Sequence, residues 1–224
     1  MTKANEMKVY CMPVLASIVG ALILFPQMAS GQPAGKCYGA ASYGLVQVED
    51  ESITDDGTSA TQTYDRGYSL GGALGCQLSV DNSLRGQLEL DYSSFEFDSL
   101  KFNGSTISVS GDIDVMTWSL GGYWDLPVSD VIMPYVGGGV GWSFVELSAA
   151  SATAGGTTVT TDASEEDYLS TFAEVGVGID LSETVKIVPN IRFRWLDNEA
   201  SCGAGCTSDA NIVWAYRVTM RVGF

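Results

Sequence analysis

From residue 38 onward, apolar and polar positions alternate with a period of two, the spacing at which an extended strand points successive side chains to opposite faces. Leu84, Gly86, Leu88, Leu90 and Tyr92 fall on one face, and Arg85, Gln87, Glu89 and Asp91 on the other. Near the end of the chain Ile212, Trp214, Tyr216, Val218, Met220, Val222 and Phe224 share a face opposite Asn211, Arg217, Thr219 and Arg221. The same phasing predicts eight strands, over 38–48, 64–80, 84–92, 115–126, 135–145, 169–181, 185–195 and 212–224; the first has a weak phase. The connections at 81–83, 127–133 and 182–184 are short. Those at 49–63, 96–111, 146–166 and 197–209 are long, acidic and read as loops. Short turns at one end and long loops at the other describe an antiparallel up-and-down meander.

The occupants of the polar face decide which solvent each face meets. That face carries Arg85, Glu89, Asp91, Glu174, Lys186, Arg192, Arg194, Arg217 and Arg221, so most basic residues beyond residue 31 lie in strands and few in loops. Arg suits multiply hydrogen-bonded, buried ion pairs. All five Trp (Trp118, Trp124, Trp142, Trp195 and Trp214) fall on the apolar faces. A polar interior of Arg85, Glu89, Asp91, Glu174, Arg192, Arg194, Arg217 and Arg221 in mutual ion pairs, wrapped in an apolar aromatic exterior, is the arrangement of a strand wall in lipid. A sheet edge in hydrocarbon leaves unpaired N–H and C=O groups, so such a wall must close. The expectation is an all-β, eight-stranded antiparallel up-and-down transmembrane β-barrel, its interior filled by side chains.

Composition narrows the chemistry. The 224 residues include no His, which excludes imidazole-based triads and His-ligated zinc. A net charge of −16 argues against nucleic acid as a partner. Glu89 and Asp91 form a carboxylate pair of the kind used in acid–base work, but balancing interior Arg is the reading favoured by the barrel. The acidic runs 49–51, 55–56 and 165–167 lack an EF-hand spacing and read as solvated loops. No cofactor, no metal site and no enzymatic activity are expected.

Residues 1–31 follow another rule. Lys3 and Lys8 precede an uncharged apolar run at 11–25, and Ala29-Ser30-Gly31 supplies small residues. This is the order of a secretory signal peptide, leaving 32–224 as the barrel domain. Export permits disulfides among the four remaining cysteines. A Cys202–Cys206 bridge would close the Cys-Gly-Ala-Gly-Cys loop, and Cys37 and Cys76 both fall toward the short-turn end, close enough to pair.

Met133-Pro-Tyr-Val-Gly-Gly-Gly-Val-Gly-Trp142 resembles the fifth-strand motif of the opacity-protein-like and OmpA-type outer-membrane β-barrel domain, and 191–197 (IRFRWLD) resembles its seventh strand. The alternation ending in Phe224 is similar to the signal read by the barrel assembly machinery. The resemblance implies an eight-stranded barrel in the outer membrane of a Gram-negative bacterium with long loops outside. Its implied partners are outer-membrane lipid, including lipopolysaccharide, the assembly machinery and an external ligand of unknown identity. The expected role of the monomer is structural and surface-interacting: envelope integrity, adhesion or contact with the environment. The alternative is a narrow porin-like channel for small solutes. The Cys in the second strand and the CGAGC loop depart from the usual family pattern.

Overall fold

The computed structural model describes residues 37–55, 58–79, 83–102, 105–126, 128–129, 131–154, 157–196, 206–208 and 211–224. The expected signal peptide and the start of the expected barrel domain lie outside them, as does Cys202 of the proposed Cys202–Cys206 bridge.

Eight strands form the wall: β1 (Cys37–Val48), β2 (Gly67–Gln77), β3 (Leu84–Phe102), β4 (Asp112–Asp125), β5 (Ile132–Leu147), β6 (Ser164–Asp180), β7 (Val185–Leu196) and β8 (Asn211–Gly223). Each pairs antiparallel with the next in sequence. β8 returns to β1 in a register running from Tyr38↔Gly223 to Val48↔Val213, so the sheet closes. Phe224 N–H extends that seam by donating to the Cys37 carbonyl at 3.0 Å. Every described strand belongs to this sheet or its extensions, and the described residues contain no helix.

The alternation orients the wall as its chemistry requires. Arg85 and Arg192 are each 1 % exposed, whereas Trp118 is 45 % and Leu120 62 % exposed. A protein folded for water would show the reverse. Leu74, Leu88, Trp124, Val136, Val140, Trp142, Val175, Tyr216, Val218 and Met220 complete the apolar exterior. Trp118 faces Trp142 across β4 and β5, and the Phe193 and Trp214 rings meet at 3.9 Å across β7 and β8. Trp142 and Trp214 donate their indole N–H to Asp167 at 3.0 Å and to Glu49 at 2.8 Å. Each ring thus has an apolar body against the wall and a polar tip toward the loops, the arrangement found where hydrocarbon gives way to water.

The three short connections join at one end. Ser129 Oγ accepts from Ile132 N–H at 3.0 Å and Ser182 Oγ from Val185 N–H at 3.1 Å, and these local bonds fix tight turns. At the other end the structure corrects the sequence reading. β3 has 19 residues and β6 has 17, beyond the roughly ten that span hydrocarbon. Four segments read as loops contain further strands, at Glu51–Asp55, Thr58–Tyr64, Ser105–Ser110, Ser151–Ala154, Thr157–Thr160 and Cys206–Ser208. Thr58–Tyr64 and Ser105–Ser110 pair with the outer part of β3, and the others pair onto these in turn, continuing the wall upward. These strands are rich in Ser and Thr. Thr suits a pleated backbone, but Ser and Thr leave the alternation without the apolar amplitude that marks a strand in sequence.

Candidate functional site

The interior holds two layers. The first is the polar set anticipated from the alternation. Arg192 on β7 donates from Nε to Glu174 Oε2 at 2.7 Å and from Nη1 to Asp91 Oδ2 at 3.0 Å, and its Nη2 lies 2.5 Å from Glu89 Oε2. Arg217 on β8 donates to Asp91 Oδ1 at 2.8 Å and to Glu174 Oε2 at 2.6 Å, while its Nε donates to Asn190 Oδ1 at 3.0 Å. Arg194 reaches Asp91 Oδ2 at 3.2 Å. β3 and β7 are four strands apart either way round an eight-stranded ring, so the bonds from Arg192 and Arg194 to Asp91 cross the diameter of the barrel.

Nearer the short turns, Arg85 Nε donates to both oxygens of Asp125 at 2.9 Å, and its Nη1 donates to Tyr38 Oη at 3.0 Å. Tyr38 O–H in turn donates to Gln87 Oε1 at 2.5 Å. Arg221 lies over the Tyr38 and Tyr135 rings, with its guanidinium carbon 5.4 and 5.0 Å from their centroids. Lys186 pairs with Asp180 at 2.9 Å, both half-exposed. Cys37 and Cys76 stand opposite each other in register and are joined by a disulfide that ties β1 to β2.

Sequence reasoning missed the aromatic members of this layer. Tyr123 O–H donates to Glu89 Oε1, and Tyr135 O–H donates to Glu174 Oε1 at 2.5 Å. The Arg85 guanidinium sits 4.3 Å from the Tyr123 centroid and 4.6 Å from that of Tyr135; Arg192 sits 4.0 Å from that of Phe172. Such stacking partly replaces the hydration a buried cation loses. Inward glycines make the room. A Cβ at Gly176 would lie 2.7 Å from Tyr135 ring carbons, one at Gly137 would run into the Tyr123 ring, and one at Gly44 would lie 2.7 Å from Arg217 Cγ. The parity of Tyr123 with Asp125, and of Phe172 with Glu174, was the signal available.

The second layer lies toward the loops and was not anticipated. Val46, Val48, Phe95, Ile113, Val115, Val145, Leu196, Val213 and Ala215 are buried in one apolar cluster, with Tyr64, Phe97, Leu147 and Tyr168 packed against it. They have the same parity as the charged residues below them: Phe95 with Asp91, Leu196 with Arg192, and Val213 with Arg217. The inward face therefore changes from charged to apolar along single strands.

A closed β-wall with an apolar aromatic exterior and a charge-paired interior defines a membrane-spanning β-barrel. Residues 17–220 match the outer membrane protein beta-barrel domain family, and the chain belongs to it. No curated protein matches its sequence. Among solved structures, the chain is similar in fold to outer membrane protein OprG from Pseudomonas aeruginosa, with a TM-score of 0.53 and 14 % identity over 85 % of this chain and 97 % of that one. It is also similar to Neisserial surface protein A, with a TM-score of 0.50 and 16 % identity over 86 % of this chain and 100 % of the other.

Proposed function

We propose that this chain is exported by its N-terminal signal segment, inserted as a monomer by the barrel assembly machinery acting on the strand that ends in Phe224, and works at the cell surface through its outer strands rather than as a solute channel. The bonds from Arg192 and Arg194 to Asp91 carry this reading, because they bridge opposite walls and fill the lumen at mid-height. A conducting path would have to separate buried, multiply bonded charges, and removing one partner of such a pair costs about 3–5 kcal/mol. Meanwhile the wall continues outward as hydrogen-bonded hairpins that carry acidic and hydroxyl side chains. This gives the molecule a firm projecting surface, suited to contacts with lipopolysaccharide, neighbouring envelope components or an external partner.

The test pairs two measurements on protein purified from outer membranes. In planar lipid bilayers the wild type is expected to give no steady conductance, and a variant with Arg192, Arg194 and Arg217 all replaced by Ser is expected to conduct. Deleting residues 103–110 and 148–161 is expected to leave the barrel folded while changing envelope sensitivity to detergents or cell attachment to surfaces. Steady wild-type conductance, with loop deletion silent in both assays, would replace this reading with the channel.

A further inference from the structure

We propose that the apolar layer at the loop end of the barrel is a binding site for a small apolar organic cation, one aromatic ring or a short chain bearing an ammonium group. Side chains from the barrel wall and the adjoining outer strand, among them Val48, Phe95, Val115, Val145, Leu196 and Val213, line an open-mouthed cavity of about 240 Å³ there. Its size sets the occupant: an apolar cavity of about 150 Å³ takes benzene, and sites for drug-sized molecules begin at about 300 Å³. A ring with a short substituent lies between these.

The lining sets the charge. Tyr64, Phe97 and Tyr168 present half-buried rings to the cavity, and aromatic faces attract cations. At the rim the exposed Glu166 carboxylate accepts from Tyr168 O–H, which holds it beside the opening. The side wall is the edge-to-face pair Tyr64–Phe95, with centroids 6.0 Å apart. Behind it, β1 and β2 separate between Val46↔Gly67 and the outer pairing Glu51↔Gln62, leaving a cleft lined by Asp65, Arg66 and Glu96. Carboxylates outnumber the single Arg around the mouth, and the whole chain carries −16. Anionic amphiphiles are repelled from this entrance and small apolar cations are drawn to it.

A wall built only to stay closed has no need to change the character of its inward face at one height. The switch from Asp91 to Phe95, from Arg192 to Leu196 and from Arg217 to Val213 places a mostly apolar cavity on the loop side of the charged layer. This is independent of the surface role proposed above, since neither conductance nor loop deletion reads it.

The experiment uses the full-length barrel in lipid nanodiscs, with Ile, Leu and Val methyl groups isotope-labelled for NMR and empty nanodiscs as reference. Benzylamine, benzyl alcohol and benzoate share one ring and differ in head charge. Benzylamine is expected to shift the methyls of Val115, Val145 and Val213 saturably, and to bind at least about tenfold more tightly than benzoate, with benzyl alcohol between them. Glu166→Gln is expected to weaken benzylamine about fivefold and leave benzyl alcohol unchanged. Val115→Phe or Val213→Phe, whichever keeps the heat-dependent gel shift of the folded barrel, is expected to abolish the shifts by filling the cavity. No saturable methyl shift with any probe, or benzoate binding as tightly as benzylamine, overturns the proposal.

Discussion

Arg192 makes ion pairs to Glu89, Asp91 and Glu174. Its side chain is 2 % exposed, so solvent cannot replace a lost partner. Replacing Arg192 by Leu leaves three buried carboxylates short of a counter-charge. The expected loss is about 3–5 kcal/mol, read as a lower urea midpoint for unfolding from lipid vesicles. Gly176→Val places a Cβ 2.7 Å from the Tyr135 ring and is expected to cost about 1–3 kcal/mol in the same assay. Gly122→Val is its control, since a Cβ there meets nothing within 4 Å. Every charged residue named from the sequence as interior is buried, because a charge in a period-two strand has one acceptable side when the other is lipid. Tyr123, Tyr135 and Phe172 escaped notice for the opposite reason. An aromatic ring suits either face, and only its parity with Asp125 or Glu174 reveals which.

Elements show where sequence reading succeeds and where it stops. β3, β7 and β8 were legible because large residues alternate with charged ones. β1 was not: Gly39, Ala40, Ala41 and Ser42 give neither face a signature, and its phase emerges only from Tyr43 and Leu45 outside and Val46 and Val48 inside. The apolar inner layer was hidden because one label per face was carried along each strand, whereas Phe95 and Val213 change that label at constant parity. The outer hairpins read as loops because an alternation of Ser and Thr carries little apolar contrast between its two faces. Their backbone bonds predict a graded pattern of amide hydrogen exchange, slowest in the lipid-covered parts of β3–β8, intermediate in the Ser105–Ser110 and Thr157–Thr160 strands, and fastest at their tips. Equal rates throughout 105–160 would contradict the outer sheet. The Cys37–Cys76 bond spans 39 residues and joins strands that are already partners. Chain entropy assigns such a link about 4 kcal/mol. Replacing both cysteines by Ser is expected to lower the temperature at which the folded band converts to the unfolded one in SDS gels, without changing the fold.

At the scale of the molecule, the two faces of the wall make opposite demands. The exterior needs hydrocarbon for its Leu, Val and Trp residues, and the interior needs its charges kept in register. Both are met only when β1 and β8 are joined along the seam from Tyr38↔Gly223 to Val48↔Val213. The barrel is therefore expected to resist SDS until heated, and in intact cells a protease is expected to cut only within the outer segments between barrel strands. Cleavage at the turns 78–83 or 181–184 in intact cells would reverse the orientation. The crossing bonds have a further consequence, for the order in which the chain matures. Asp91 on β3 meets Arg192 and Arg194 on β7 and Arg217 on β8, more than a hundred residues later in the chain. Until those strands arrive, the early half carries bare carboxylates that hydrocarbon rejects and water accepts. A chain missing its last hairpin is thus expected to stay out of the bilayer, because Glu89, Asp91 and Glu174 lose every Arg partner that the closed barrel gives them.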